Sequence, residues 1–224
     1  RQVRAAMEAD RPRAVLAMGG FTSAAPILVG RKMGAATLLH ESNAVPGRAN
    51  RLLSRWADEV LVGMAPAEER FGKNHVEVTG TPVRDDFRGL DQRACREQLG
   101  LPRDQAMVLV IGGSQGARGV NRLVTAASPK WREVSLLHIC GATDEAEVRA
   151  AYAGVANEVR VHAFLKDMPQ ALGAATLAVS RAGASSIAEL AAARVPAVFI
   201  PLPNSADDHQ RANASAVVAA GGGG

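Results

Sequence analysis

The chain of 224 residues has a formal charge of +4, a hydrophobic fraction of 47% and an aromatic fraction of only 4%. Aliphatic side chains must therefore fill the core, and a mildly basic surface suits anionic partners such as phosphates, nucleotides or acidic lipids. No apolar run reaches the roughly 18 to 20 residues that span a bilayer, and no basic block with interleaved aromatics predicts nucleic-acid binding. Cys95 and Cys140 lack metal-type spacing and are predicted to be buried thiols of a cytoplasmic protein.

Nine short apolar runs alternate with helical patterns along the chain, which predicts parallel sheets covered on both faces by helices. The predicted strands are residues 14–18, 36–40, 59–63, 76–80, 107–113, 135–140, 158–164, 176–183 and 197–202. The polar segment 81–106, with two prolines, is interpreted as a linker that leads into a short helix. We therefore predict a domain of residues 1–85, a linker with a connecting helix at 86–106, and a second domain of residues 107–224.

Polar motifs stand where predicted strands end, which is where parallel sheets bind their ligands. The glycine turn "AMGGFTSAAP" (17–26) precedes a helix that Thr22 or Ser23 is expected to cap. At the predicted domain junction, "GTPVR" (80–84) ends in Arg84. This arginine could meet a phosphate or a base, or only a carboxylate of the other domain.

The turn after the second strand, "LLHESNAVPGRAN" (38–50), gathers four polar side chains within a short span: His40, Glu41, Asn43 and Asn50. A histidine beside a glutamate fits a general base. The alternative of equal weight is a structural histidine that is held by its neighbours.

The loop "IGGSQGARGVN" (111–121) follows a strand and opens a helix, so its backbone N–H groups and the helix dipole favour an anion. Gly112 and Gly113 would let the backbone approach a ligand, and Ser114 would add a hydroxyl donor. The spacing fits neither a Walker A loop nor GxGxxG. The pattern favours phosphate binding over its alternative, a tight turn with a capping serine.

Two later strand ends carry similar features. In "VSRAGASSIAEL" (179–190), Glu189 could accept two hydrogen bonds from a ribose diol, although a glutamate in a first helical turn is also favoured by the dipole alone. In "PLPNSADDHQRANA" (201–214), Gln210 and Asn213 share one helix face and suit sugar hydroxyls. The alternative there is helix capping by the two aspartates. Because the five histidines are scattered and no HxxxH or DxD pattern occurs, neither a metal nor a cofactor is expected.

Six of these segments, taken in order, closely resemble the MurG family: "GGFTSAAP", "LLHESNAVPGRAN", "VTGTPVR", "VIGGSQGARGVN", "SRAGASSIAEL" and "DDHQRANA". That family is the peptidoglycan glycosyltransferase that adds N-acetylglucosamine to lipid I and so makes lipid II. The resemblance covers essentially the whole chain. It implies the α/β GT-B fold, with two Rossmann-like domains, parallel sheets and a cleft between the domains. It also implies inverting, metal-independent transfer from UDP-N-acetylglucosamine to the MurNAc 4-hydroxyl.

The resemblance also implies a role for each motif. The donor would be bound by Asn43, Arg84, Gly113, Ser114, Leu165, Ala184, Ser185, Glu189 and Gln210. Among these, Ser114 would contact the diphosphate, Glu189 the ribose and the backbone of Leu165 the uracil. The acceptor side would be formed by Gly19, Gly20 and Asn50. His40 and Glu41 are the catalytic candidates, and we expect them to shape the site more than to transfer protons.

The chain departs from the family pattern at its ends. A GGTGGH-like first loop, whose histidine is often cast as the base, and the family's last helices are absent, so we expect this piece to bind UDP weakly without turnover. His209 stands where the family often has glutamine. The alternatives are another GT-B UDP-sugar transferase, a related epimerase, against which the acceptor-side turn argues, or a UDP-binding fragment without catalysis.

The resemblance places the protein at the cytoplasmic face of the bacterial plasma membrane, docked on an anionic surface. The first domain offers a basic and apolar set for this contact: Arg31, Lys32, Met33, Arg51, Arg55 and Trp56. Solvated arginines are the equally weighted alternative.

Overall fold

Two parallel sheets organise the computed structural model, which describes residues 1–72, 75–112, 117–155, 157–203 and 206–222. The strands are β1 (Ala14–Ala17), β2 (Ala36–Glu41), β3 (Glu59–Val62), β4 (Val76–Val78), β5 (Ala106–Ile111), β6 (Val134–Ile139), β7 (Val159–His162), β8 (Leu177–Ser180) and β9 (Ala197–Phe199). The helices are α1 (Gln2–Ala9), α2 (Ala24–Lys32), α3 (Arg48–Leu53), α4 (Gln92–Gln98), α5 (Arg118–Ala127), α6 (Glu145–Ala151), α7 (Met168–Ala174), α8 (Ala184–Ala192) and α9 (His209–Ala219). Each of the nine predicted strands is confirmed, although several end earlier than predicted.

The first sheet has the strand order β1-β2-β3-β4, and every neighbouring pair is parallel. Its apolar core contains Val15, Ile27, Leu39 and Leu53. Parallel pairing brings the carboxyl ends of these strands to one edge, so that Glu41 at the end of β2 lies beside Val62 at the end of β3. The polar turn predicted from the sequence therefore begins at this edge.

The second sheet has the order β7-β6-β5-β8-β9 and is also parallel throughout. Alternate side chains of its central strand β5 pack into two different cores, one on each face of the sheet, as expected for a strand buried on both faces. Met107 and Leu109 pack in a core with residues of α4, α7 and α8, whereas Val108 and Val110 pack in one with residues of α5 and α6. Helices thus cover both faces, as the apolar strands predict.

The predicted linker is firmly attached to the second sheet. Its short helix is confirmed as α4, which Asp91 caps by accepting a hydrogen bond from the Ala94 N–H at 2.7 Å. Arg96 of α4 is buried and donates to the Ala174 carbonyl oxygen at 3.0 Å and to Thr176 Oγ1 at 2.7 Å. These bonds hold α4 against the end of α7.

The chain divides into two compact units. Residues Arg1–Pro82, Gly183–Ser185 and Pro203–Ala220 form the first unit, and Val83–Ala182 with Ser186–Leu202 form most of the second. The boundary at Pro82 is close to the predicted division at residue 85. The grouping differs from the predicted second domain because Pro203–Ala220, which contains α9, belongs with the first unit.

Both cysteines are buried and unpaired, which confirms the prediction for these two side chains. Within the part of the chain that the structure describes, none of the helices combines the length and the apolar character needed to cross a bilayer.

Candidate functional site

Glu41 is the centre of the polar turn in the first unit. Its side chain is almost fully buried, and its carboxylate accepts four hydrogen bonds. Two come from Asn43, from the backbone N–H at 2.9 Å and from Nδ2 at 3.0 Å. The others come from the Gly47 N–H at 3.0 Å and from Asn50 Nδ2 at 2.8 Å. Since a buried carboxylate needs donors in place of water, the turn between β2 and α3 is built around this group.

His40 is also buried, and both of its ring nitrogens have partners. Nε2 lies 3.0 Å from the carbonyl oxygen of Gly80 and must therefore carry the proton. Nδ1 then accepts a hydrogen bond from Ser42 Oγ at 3.3 Å. Of the two roles predicted for His40, this geometry favours the structural one, because the ring ties the end of β2 to the segment after β4.

Asn213 joins α9 to the same turn. It is fully buried, its Oδ1 accepts from the Ala44 N–H at 2.8 Å, and its Nδ2 donates to Asn43 Oδ1 at 3.1 Å. Asn43 is consequently bonded at both ends of its amide, since its Nδ2 also donates to Glu41. The structure thus brings together two sequence motifs, 38–50 and 201–214, and assigns Asn213 a fixing role that sequence reasoning had missed.

A pocket of about 570 Å³ opens beside this turn. Its walls include the three predicted acceptor-side residues, Gly19, Gly20 and Asn50. Five other residues of the first unit also line it: Glu41, Asn43, Arg48, Asp207 and His209. Gly19 has φ +94°, and a Cβ there would lie 3.0 Å from Asn50 Nδ2, so this position requires glycine. Asn50 Oδ1 is buried and receives no hydrogen bond from the described residues. It is therefore an acceptor that a ligand could satisfy.

Two residues of the first unit stand at helix N-cap positions without making a capping side-chain hydrogen bond: Ser23, which was expected to cap α2, and Asp208, which was the alternative cap of α9. Ser23 does not cap α2 with its side chain, since its Oγ donates to the Gly19 carbonyl oxygen at 2.7 Å and so closes the glycine turn instead. Asp208 makes no capping hydrogen bond at α9. Asp207 and Asp208 both adopt φ +52°, and Asp207 lies 3.8 Å from Arg48 and 4.0 Å from Arg51 of α3. The aspartates thus form the turn that precedes α9.

In the second unit, the glycine loop after β5 is described only in part. The Gly112 N–H donates to the Ile139 carbonyl oxygen at 3.2 Å, which extends the pairing of β5 with β6 by one residue. Gly113 and Ser114 lie outside the described residues. The helix predicted to follow this loop is confirmed as α5, which begins at Arg118.

Arg181 is a candidate that sequence reasoning missed. It follows β8, and its Nη1 donates to the carbonyl oxygens of Ile200 at 3.0 Å and Pro201 at 2.9 Å. A Cβ added to Gly119 would lie 3.7 Å from its Nη2, so the guanidinium stands against the first turn of α5. Burial lowers the pKa of Arg181 from its ordinary value. The sequence predicted a strand over residues 176–183, which would have included Arg181. In the structure β8 ends at Ser180, so Arg181 lies in the following loop.

Glu189 lies on α8 and is partly buried, and no described residue donates a hydrogen bond to its carboxylate. Burial raises the pKa of Glu189, while the positive charge of Arg84 lowers it and the negative charge of Asp86 raises it. Arg84 lies 3.5 Å from Asp86 and its guanidinium stands 5.1 Å from the centre of the Phe87 ring. Arg84 and Glu189, both predicted to bind the UDP-sugar, are therefore close enough for their charges to interact.

The remaining predicted donor residues follow strand ends or open helices. Ala184, which is buried, and Ser185, which is exposed, begin α8, and Gln210 lies in the first turn of α9. Leu165 follows β7 and packs partly against the core of the second sheet. Its neighbour Phe164 is 76% exposed, and sequence reasoning did not single out this aromatic surface.

Comparison with known proteins places these residues in a family context. The N-terminal domain of glycosyltransferase family 28 matches residues 1–62, and the C-terminal domain of that family matches residues 107–224. A protein of Synechococcus sp. (strain JA-3-3Ab) is 40% identical over 226 residues, 99% of this chain and 60% of its own length. Its name is UDP-N-acetylglucosamine--N-acetylmuramyl-(pentapeptide) pyrophosphoryl-undecaprenol N-acetylglucosamine transferase. A protein of Listeria monocytogenes with the same name is 37% identical over 211 residues, 92% of this chain and 58% of its own length.

The crystal structure of Acinetobacter baumannii MurG matches with a TM-score of 0.75 and 32% sequence identity, over 97% of this chain and 60% of that one. The predicted α/β GT-B fold class and the resemblance to MurG are thus confirmed. The chain spans about 60% of the length of the curated relatives named above. Since the C-terminal domain alone matches more than half of its residues, the chain belongs to glycosyltransferase family 28.

Proposed function

We propose that this chain forms part of an enzyme that transfers N-acetylglucosamine from UDP-N-acetylglucosamine to the MurNAc 4-hydroxyl of lipid I, with inversion, to give lipid II. One observation carries the proposal. Relatives that bear the name of this transferase share 37% to 40% identity with at least 92% of the chain. The substrates, UDP-N-acetylglucosamine and lipid I, follow from the same relationship, and nucleic acid has no part in the proposal.

In the proposed reaction, the acceptor hydroxyl attacks the anomeric carbon while a general base takes the hydroxyl proton. The bond from that carbon to the diphosphate oxygen breaks, and UDP leaves with the bonding pair. The departing diphosphate needs positive charge or N–H donors around it. The first turn of α5 together with Arg181 supplies both, and the start of α8 at Ala184 and Ser185 supplies further N–H groups. These groups support a transfer without a metal ion, in which Gly113 and Ser114 would also contact the diphosphate.

The nucleoside end of the donor suits residues of the second unit. The Glu189 carboxylate, which has no donor from the described residues, would accept hydrogen bonds from the two ribose hydroxyls. The backbone of Leu165 would bind uracil, and the exposed ring of Phe164 offers an apolar surface next to it. Arg84 would add positive charge near Glu189.

The sugar and the acceptor would be bound by residues of the first unit. Gln210 and Asn43 would bind N-acetylglucosamine. The pocket beside Gly19 and Gly20 would receive the acceptor, with Asn50 Oδ1 available for a hydroxyl or amide hydrogen. Both ring nitrogens of His40 have hydrogen-bond partners, and the Glu41 carboxylate accepts four hydrogen bonds. We therefore assign to these two residues the role of holding the turn in place.

The acceptor is a membrane lipid, so the enzyme would dock on the cytoplasmic face of the plasma membrane as a peripheral protein. Arg31 Nη1 donates to the Trp56 carbonyl oxygen at 2.9 Å, so these two residues are neighbours, which supports a shared contact surface. Lys32 and Arg55 are exposed, Met33 is partly buried and Arg51 lies near Asp207. Phe21, which is 89% exposed, adds an apolar side chain in the first unit. Vesicles with anionic lipid should therefore retain the protein, and neutral vesicles should not.

Titration calorimetry tests the donor assignment. We expect saturable binding of UDP-N-acetylglucosamine, weaker binding of UDP-glucose and no binding of ADP, because uracil and the acetamido group would both be recognised. Equal affinity for UDP-N-acetylglucosamine and UDP-glucose would mean that the site does not recognise the acetamido group. Binding of ADP as tight as that of UDP-N-acetylglucosamine would contradict the donor assignment as a whole.

A further inference from the structure

A buried chain of hydrogen bonds crosses the core of the second unit between β6 and the helices α5 and α6. The Tyr152 hydroxyl lies 2.8 Å from His138 Nδ1, and His138 Nε2 lies 3.0 Å from Asn121 Oδ1. Asn121 Nδ2 donates to Asp144 Oδ2 at 2.9 Å, and Arg118 Nε approaches Asp144 Oδ1 at 3.3 Å. The four inner side chains are at least nine-tenths buried, and the proposed transfer reaction uses none of them.

The partners of Asn121 and the neutral state of His138 together set the direction of each bond in this chain. Asn121 Nδ2 also donates to the Cys140 carbonyl oxygen at 3.0 Å, so two acceptors determine which way the amide points. Its Oδ1 must then accept from His138 Nε2. Burial lowers the pKa of His138 to about 4, so the ring is neutral at pH 7, with its proton on Nε2. Nδ1 therefore accepts from the Tyr152 hydroxyl.

Asn121 connects this network to α5. It lies one turn into the helix, and its backbone N–H donates to the Ala117 carbonyl oxygen at 2.9 Å. Its side chain simultaneously binds the end of β6, through Cys140, and the start of α6, through Asp144. Arg118, the first residue of α5, reaches the same aspartate. Two residues of the first turn are thus held to fixed points outside the helix.

We propose that His138 is a positioning residue for donor binding, which acts through Asn121 to fix the first turn of α5 against the end of β6. The inference rests on the proposed function, in which that turn and Arg181 face the donor diphosphate. An anion site made of N–H groups depends on where the helix begins, and a shift of about 1 Å can cost 100-fold in rate. An apolar residue at position 138 could fill the core but could not hold Asn121.

The test compares two substitutions at the same position. His138→Phe keeps an aromatic ring, although a somewhat larger one, and removes both hydrogen bonds, whereas the amide nitrogen of His138→Gln can still donate to Asn121 Oδ1. Leu172→Ala serves as a control, because this buried residue of α7 lies in the other core of the same sheet and destabilises the unit without touching the network. Amide hydrogen exchange of residues 121–124 and calorimetric titration with UDP are measured on all three variants.

We expect His138→Phe to speed exchange at residues 121–124 at least 10-fold more than in α4 and α7, and to raise the Kd for UDP about 10-fold. His138→Gln should stay within about 3-fold of the unmodified chain in both measurements. Leu172→Ala should lower Tm and leave the Kd for UDP unchanged. These results support the proposal, since a merely structural role would give Leu172→Ala and His138→Phe the same pattern.

Uniform exchange across the unit in His138→Phe, or equal loss of UDP affinity in His138→Phe and Leu172→Ala, would overturn the positioning role. Failure of the donor assignment is a separate result: the unmodified chain would then not bind UDP. In that case hydrogen exchange alone decides whether His138 fixes α5, because it needs no ligand.

Discussion

Glu41 ends strand β2 in the first unit and Glu189 lies in the second turn of α8 in the second unit, and the two carboxylates have opposite surroundings. Four N–H groups surround the Glu41 carboxylate, which is 4% exposed. Glu189 is only partly buried, receives no hydrogen bond from the described residues and has a pKa that burial raises. The first carboxylate is part of the architecture, whereas the second still has unsatisfied acceptor capacity.

The difference indicates where ligand chemistry is available. A group whose hydrogen bonds are all made within the protein can hold a turn, but it has little left to offer a substrate. A half-buried carboxylate without donors costs free energy until a ligand supplies them. Glu189 and Asn50 Oδ1 are therefore available for ligands, whereas Glu41 and His40 hold the surrounding turn in place.

The largest expected effect comes from removing the centre of the first turn. Glu41→Ala leaves several buried N–H donors without an acceptor and should lower the free energy of unfolding by about 4 kcal/mol. Urea unfolding followed by Trp56 fluorescence in a Trp131→Phe background reports on the first unit. Glu77→Ala removes an exposed glutamate of β4 and should change stability by less than about 0.5 kcal/mol. A similarly small change for Glu41→Ala would mean that water replaces the carboxylate.

The pH dependence of the second unit should depend on His138. Because burial holds the folded-state pKa near 4, below the ordinary value of 6.5, the unfolded chain takes up the proton first as pH falls. Stability from this group is complete above pH 6.5 and is lost between 6.5 and 4, by about 3 kcal/mol in all. His138→Phe should lack this component in urea unfolding followed by Trp131 fluorescence in a Trp56→Phe background. If the free energy of unfolding fell equally steeply with pH in both proteins, His138 would not be the group that causes the loss of stability.

At Glu189 the expected effect is on binding. Glu189→Ala should weaken UDP binding by roughly 1 to 3 kcal/mol if the carboxylate holds the ribose. Since the ionised form accepts the hydroxyl hydrogens and the pKa is raised above 4.5, affinity should fall as pH drops through that raised value, and the variant should not show this fall. Glu147→Ala, an exposed glutamate of α6 in the same unit, is the control and should leave the Kd unchanged. Unaltered affinity of Glu189→Ala would end the ribose assignment.

The smallest effect tests the attachment of α9. Asn213→Ala leaves the Ala44 N–H without its acceptor and should cost about 1.5 kcal/mol, with faster hydrogen exchange in α9. Ser215→Ala changes an exposed position two residues further along the same helix and should alter neither quantity. If α9 exchanges equally fast in both variants, other contacts hold this helix, and the turn at 43–44 does not depend on it.

The sequence by itself determined the nine strands, their parallel arrangement, the short connecting helix α4 and the family, because apolar runs, glycine turns and motif order are local properties of the chain. Tertiary structure alone decided which polar groups of those motifs remain available. The Ala44–Asn213 bond joins residues 169 positions apart, and the His40–Gly80 bond joins residues 40 positions apart. Arg181 gained its position against α5 in the same way. A hydrogen bond between distant segments leaves no periodic pattern in the sequence, so only the folded arrangement separates the polar side chains that hold the site from those that could bind a ligand.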